Sequence, residues 1–346
     1  MTGSTTRLPV VVGVERTAAG GLAVSWAADQ AYRRGLPLRL VHALDWPAGA
    51  PRPGDGTQGD VPQSAVAPRH RESALAHATS WPSRVHPVSV PVPVSPAHGW
   101  GERFREAAQV ALDEAQALAA DLHPGLETAA ELVDGTPVEV LRAAGRGASM
   151  VVLGSRRRSA IAEMLTTGSI AVPVAAHADC PVAVVRELGH DRAATPTVVV
   201  GVDGSEHSQA ALEWAFEEAA RRGAVLAAVR VVRPISPYTA VPAAMTGRAE
   251  LAEALAGWKA RYPDVTVRTE VAFGHPVRVL ADAAAQALCL VVGSRGLGGF
   301  KGMLLGSVGN GVLHHAHCPV VVVPTTAGEA GRGADTGAGA GAEAER

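Results

Sequence analysis

The residues best suited to chemistry lie in one short segment, GSRGLGGFKGMLLGS, running from Gly293 to Ser307. It falls between an apolar run and a stretch of helical periodicity. Glycine lets backbone N–H groups approach oxygen atoms closely because no Cβ intervenes, and a helix starting near Ser307 adds the favourable end of its dipole for an anion. Gly293 and Gly296 stand at the carboxyl end of the preceding apolar run, the edge at which open α/β sheets hold ligands. The chemistry implied is recognition of a phosphate-bearing molecule. No lysine follows a glycine in the Walker arrangement, and no G-x-G-x-x-G opens a helix directly after the first strand, so a P-loop ATPase and a dinucleotide dehydrogenase are both disfavoured.

Other reactive residues do not assemble in the sequence. His314, His315, His317 and Cys318 are close together, but successive helical residues point about 100° apart and the cysteine enters a strand. Histidines beside the last carbonyls of a helix are the simpler reading, and no metal site is expected. Neither a Ser–His–Asp order nor paired carboxylates accompany the glycine-rich segment, so no dedicated catalytic residue is assigned.

The elements that must position this segment are written twice. VVVGVERTAAGGLAVSWAADQAYRRG from Val10 aligns with VVVGVDGSEHSQAALEWAFEEAARRG from Val198, at a constant offset of 188 residues. Later matches fall to an offset of 139 for DGTPVEVLRAA with FGHPVRVLADA and 138 for CPVAVV with CPVVVV, because the first copy carries an insertion and one extra loop residue. Each copy alternates apolar runs with helical periods, which implies a parallel sheet with crossover helices on its faces. In the second copy the spacing predicts strands over Thr197–Val202, Ala224–Val232, Val265–Ala272, Leu288–Val292 and Val320–Val323. Ser205 is read as the N-cap of the first helix, and later helices are placed around Met245–Arg261, Val277–Ala287 and Val308–Ala316. Pro137 and Pro276 fall in the first turn of a helix, where the missing N–H is not needed.

The segment from Trp46 to Trp100 holds ten of the 24 prolines and reads as a long loop leaving the same edge as the ligand site. Residues 326–346, rich in Gly, Ala and Glu, read as a disordered tail. The domains are accordingly set at 7–188 and 195–325. Thirty-one basic against 33 acidic residues leave a formal charge of −2, which supplies no field to hold a phosphate backbone, so no nucleic acid partner is expected. No run of 18 apolar residues appears, so no membrane association is expected, and three cysteines without a C-x-x-C pair suit a reducing cytoplasm.

On these residues the chain resembles the universal stress proteins, in the branch that binds ATP. The family's motif is a glycine, two residues, a glycine, nine residues, then glycine followed by Ser or Thr; Gly293, Gly296, Gly306 and Ser307 match it without a gap. The VGVDGS strand end, the GHP turn and the terminal CPVVVV extend the resemblance over Pro196 to Pro324. It implies an α/β fold of two tandem doubly wound domains, each a five-stranded parallel sheet of order 3-2-1-4-5. The last strands, Val182–Val185 and Val320–Val323, would be apolar edges that could pair within the chain, and a homodimer is also open. The resemblance further implies that Asp203 and the Val231 main chain face adenosine, while the four loop residues hold ribose and phosphates of ATP accompanied by Mg²⁺. Asp203 can equally serve as a turn residue ahead of Ser205.

In the first copy the loop reads GSRRRSAIAEMLTTGS, with Arg157 where the second glycine belongs, one extra residue before Gly168, and Glu15 and Arg16 in place of Asp and Gly. Side chains at those positions disturb the backbone approach, so weak or absent ATP binding is expected there. The function implied is a nucleotide-responsive stress-adaptation or signalling module. The alternatives are a slow ATPase or phosphoryl- or adenylyl-transfer enzyme of the same fold, and a scaffold without nucleotide.

Overall fold

The computed structural model of the chain describes residues 7–46, 100–155, 170–186, 195–233, 236–297 and 304–325. Its first half runs β1 (Val10–Gly13), α1 (Ala18–Arg34), β2 (Leu38–Leu44), α2 (Trp100–Leu122), β3 (Thr128–Asp134), α3 (Pro137–Gly145), β4 (Met150–Gly154), α4 (Ala171–His177) and β5 (Val182–Val185). The second half runs β6 (Thr197–Gly201), α5 (Glu206–Arg222), β7 (Val225–Val232), α6 (Ala240–Arg261), β8 (Val267–Phe273), α7 (Pro276–Ala283), β9 (Cys289–Gly293), α8 (Ser307–His315) and β10 (Val320–Val323). The short valine runs form strands because branched side chains suit a pleated surface covered on both faces. Every residue of β5 and β10 is buried.

Local chemistry sets the helix ends in the same way in both halves. The Thr17 hydroxyl caps α1 by accepting from the Gly20 amide, and Ser205 caps α5 by accepting from Ser208. Gly35 and Gly223 close those helices at φ 62° and 57°, the left-handed region that a Cβ disfavours. Pro137 and Pro276 occupy the first turns of α3 and α7.

Two helix ends differ from the sequence reading by more than two residues. Helix α6 begins at Ala240, before Met245, because a short 3₁₀ turn over Pro237–Thr239 leads into it while Val241 and Met245 face solvent. With no buried face there, no apolar period announced the first turn. Helix α7 stops at Ala283, short of Ala287. Ala284 leaves helical geometry at ψ 6°, and the Ala285 and Ala287 amides bond the carbonyls of Asp282 and Ala284 in tighter turns.

The strands of the two halves each keep the order 3-2-1-4-5 and join across the centre. They form one ten-stranded sheet in the order β3-β2-β1-β4-β5-β10-β9-β6-β7-β8. Within each half the neighbours are parallel, and at the centre β5 and β10 pair antiparallel, Val184 opposite Val320 and Val182 opposite Val322. Two all-apolar edges are expensive to leave open, and joining them removes both. Helices α1, α2, α5 and α6 cover one face over a core that includes Leu112, Phe216, Leu251 and Leu255. The other face carries α3, α4, α7 and α8, packed through Leu141, Val174, Leu280 and Val312.

Trp46 and α2 mark the two ends of the proline-rich insertion. The Trp46 indole lies 5.5 Å from the Phe104 ring, and its N–H donates to Asp134 at 2.8 Å. Residues 47–99, the first-copy loop with Arg157 and Gly168, and the tail from 326 lie outside the described residues. Among the described residues no helix is long and apolar enough to cross a membrane.

Candidate functional site

Strands β6 and β9 are neighbours, and their chains leave the sheet in opposite directions, β6 toward β7 and β9 toward β10. Such a reversal opens a crevice beyond the carboxyl ends of the strands. A cavity of about 390 Å³ lies there, between the first turns of α5 and α8. All six residues selected from the sequence, Asp203, Val231, Gly293, Gly296, Gly306 and Ser307, line it. Among the described lining residues Asp203 and Arg295 carry the only charges, and Val202, Val229, Leu280, Val292 and Val308 supply apolar walls. The size and composition suit a small ligand with an apolar body and a few polar anchors.

The amides at the start of α8 are the polar anchor. Gly306 is the N-cap of this helix, and among the described residues no side chain caps it. The first-turn N–H groups of a helix have no partner within it, so at the cavity they present donors and the positive end of the dipole to an anion. The Gly306 amide itself donates to the Ser294 carbonyl at 2.8 Å, which draws the two limbs of the glycine-rich loop together. The Ser294 amide in turn donates to Val323 of β10 at 2.9 Å, anchoring the neck to the sheet.

Asp203 holds the other limb. Its Oδ1 accepts from the Ser205 amide at 3.0 Å and hydroxyl at 2.6 Å, and its Oδ2 accepts from the Leu297 amide at 3.0 Å. Burial alone would raise this carboxyl, but the donations from Ser205 and Leu297 hold its pKa below the ordinary aspartate value. Asp203 is thus both a turn residue and the tie between the β6 end and the loop. A Cβ at Gly296 would lie 2.4 Å from Asp203 Oδ2, so a side chain there would push the carboxylate from its place on the loop.

Gly293 has a different reason for being glycine. A Cβ on it would lie 2.6 Å from the His207 carbonyl oxygen, so the residue is fixed by the approach of α5 to the end of β9. Gly154 stands in the same place in the first half, with the Ala19 carbonyl oxygen 2.6 Å from its added Cβ. The first copy therefore retains this glycine for packing even where its loop departs from the motif.

Three residues at the site, His207, Ser294 and Arg295, were missed in the sequence. His207 Nδ1 pairs with the Ser294 hydroxyl at 3.2 Å, giving the neck a second side-chain tie from α5. Burial, with the Arg295 charge beside it, lowers the His207 pKa from its usual value. His207 and Ser294 are 87 residues apart, and only the sheet order brings them together. Arg295 sits inside the motif as a spacer position, which gave no sign that it would face the cavity.

In the first half Ala19 stands at the position of His207 and offers no ring nitrogen to the neck. Arg16, at the position of Gly204, pairs instead with Glu114 of α2 at 3.3 Å on an exposed surface. His42 Nδ1 meets the Val14 carbonyl at 2.8 Å, and in the second half Arg230 takes the same role toward Val202 at 3.4 Å. No group of three or more His, Cys, Asp or Glu that could hold a metal occurs among the described residues.

A profile of the universal stress protein family matches residues 7–186 and 195–324. A universal stress protein of Mycobacterium tuberculosis is 36% identical over 330 residues, covering 90% of this chain and 96% of its own length. One from Mycolicibacterium smegmatis is 36% identical over 340 residues, covering 93% and 99%. The crystal structure of a universal stress protein from Archaeoglobus fulgidus superposes with a TM-score of 0.60 at 15% identity, covering 92% of this chain and 96% of that one. A universal stress protein solved in complex with cAMP is 34% identical over 38% of this chain and 98% of its own, with a TM-score of 0.32.

Proposed function

The chain belongs to the universal stress protein family, and from that premise we propose that its second half, residues 195–325, binds ATP in the cavity between β6 and β9. The uncapped first turn of α8, facing a cavity whose loop is closed by the Gly306–Ser294 bond, is the observation that supports this reading. Phosphate oxygens accept from the first-turn amides at Ser307 and beyond, and the Ser307 hydroxyl adds a donor. The Val231 main chain and the apolar walls face the adenine, and Asp203 faces the adenosine side of the loop. Gly296 lets Asp203 reach the loop, and Gly293 sets the height of α5 above the strand end.

Mg²⁺ would come with the nucleotide. Among the described lining residues Asp203 is the one carboxylate, already accepting three hydrogen bonds, so the ion would rely on the phosphates and water rather than on a protein cage. The site holds and orients the nucleotide and keeps its charge against helix dipoles. The protein acts as a nucleotide-responsive module in stress adaptation, in the cytoplasm, where its three buried free thiols stay reduced. The first half, with Arg157 in its loop, binds ATP weakly or not at all. Its role is to complete the sheet, and the halves stay paired through β5 and β10 in solution.

The test is to denature the purified full-length protein and quantify released adenine nucleotide by mass spectrometry, alongside Gly296→Arg. Stoichiometric nucleotide in the wild type and its loss in the variant support binding in the second half. A wild type that is empty and stays empty after incubation with Mg-ATP overturns the reading in favour of a scaffold.

A further inference from the structure

Helices α1 and α5 meet beside the β5–β10 join, and residues related by the repeat offset face one another there. Gln30 of α1 donates through Nε2 to Glu218 Oε1 of α5, across 188 positions of sequence. Each residue is 1% exposed. Two arginines related by the same offset converge on this pair. Arg34 donates from Nη2 to Glu218 Oε2 at 3.0 Å and from Nε to Gln30 Oε1 at 2.9 Å. Arg222 donates from Nε to Glu218 Oε1, and from Nη2 to Asp29 Oδ2 at 2.7 Å. The Arg34 guanidinium also lies 5.1 Å above the Trp214 ring.

Burial would push the Glu218 carboxyl up, but Arg222 and Arg34, with hydrogen bonds from Arg222 and Gln30, hold it below the usual carboxylate range. It is therefore a buried anion fully supplied with donors, the condition under which such a charge is tolerated.

The seam is close to twofold in its strands, its helices and its arginines, and the buried pair at its centre, Gln30 against Glu218, departs from that symmetry. Two glutamates at these positions would bring two carboxylates into hydrogen-bond contact away from water, with no proton between them. Two glutamines would leave the arginines of the seam without the carboxylate on which both now converge. One of each satisfies every group. We propose that the Gln30–Glu218 pair determines the partner of this surface, so that each half accepts the other half of the chain and rejects the like half of a second copy. A second copy offering its own second half would set Glu218 against Glu218. One offering its first half would set Gln30 against Gln30 and deprive Arg34 of its carboxylate.

The near-twofold arrangement supplies its own test, because exchanging the two residues should leave the lock intact. Thermal unfolding of the full-length chain is measured for the wild type, Gln30→Glu, Glu218→Gln and the double exchange. Each single variant is expected to lower Tm by at least about 5 °C, from a buried charge left unpaired or opposed. The double exchange, in which Arg34 and Arg222 converge on a glutamate at position 30, is expected to recover more than half of the larger loss. Losses that simply add in the double variant, or a Gln30→Glu chain as stable as the wild type, overturn the proposal. Should Gln30→Glu fail to fold, the comparison of Glu218→Gln with the double exchange decides. Greater stability of the double exchange supports the lock, and equal or lower stability refutes it.

Discussion

Gly293→Ala separates the packing role of this residue from any role in holding a ligand. The added Cβ would lie 2.6 Å from the His207 carbonyl oxygen, 2.7 Å from its carbon and 2.8 Å from the His207 Cβ. Carbon and oxygen rest at no less than ~3.3 Å, so α5 must retreat from the end of β9 by ~0.7 Å. Backbone crowds the new atom from one side and the sheet holds Gly293 from the other, so no side chain can swing away. Overpacking of this kind costs about 1–3 kcal/mol, against which the reduced freedom of the unfolded chain returns about 0.4–1 kcal/mol. A net loss of about 1–2 kcal/mol corresponds to a fall in Tm of about 2–8 °C. Gly154→Ala, whose Cβ would meet the Ala19 carbonyl oxygen at 2.6 Å, should lose a similar amount although the loop that follows it departs from the motif. Both variants are scanned by calorimetry on the full-length chain, with urea unfolding as a check. If Gly293→Ala keeps the wild-type Tm within about 1 °C while Gly154→Ala falls, packing is not the reason for glycine at 293 and the argument from α5 is wrong.

Asp203→Asn replaces a charged acceptor of three hydrogen bonds with a neutral amide whose NH₂ cannot accept, and should lower stability at pH 7 by about 1–3 kcal/mol in urea unfolding. The folded pKa of Asp203 is depressed, so its contribution is complete above the unfolded value of about 3.9 and is lost as pH falls through the folded value. The difference between wild type and Asp203→Asn should accordingly shrink below about pH 4, and a difference that stays constant down to pH 2 would contradict this assignment. Gly257→Ala, on the exposed face of α6 with nothing within 4 Å of the new Cβ, should raise stability by about 0.5–1 kcal/mol from helix propensity alone. Thermal unfolding of that variant checks it, and a lower Tm would count against the interior placement of Gly257 in the helix.

Local features of the fold were legible because they depend on chain neighbours. The cap at Ser205, the prolines in the first turns of α3 and α7, and the valine runs follow from sterics and hydrogen bonds within a few residues. The repeat added a second reading of each element, which is why strand boundaries differ from expectation by a residue or two. The two larger departures, at the start of α6 and the end of α7, occur where the helix had no buried face or where one alanine left helical geometry, and apolar spacing reports neither.

The sequence by itself determined that the chain is a doubled α/β unit with a glycine-rich loop after the fourth strand of its second copy, since periodicity and motif spacing are one-dimensional properties. Only the tertiary structure decided what each glycine is for and which side chains tie the loop. Gly293 answers to a carbonyl of α5, Gly296 to the Asp203 carboxylate, and Ser294 to His207. It also decided that two apolar edges become the centre of one sheet, with Gln30 against Glu218 beneath α1 and α5. These contacts join residues 86 to 188 positions apart, and strand order and helix packing bring them close together. No local propensity encodes that distance, because it is set by how the layers stack rather than by what precedes or follows each residue.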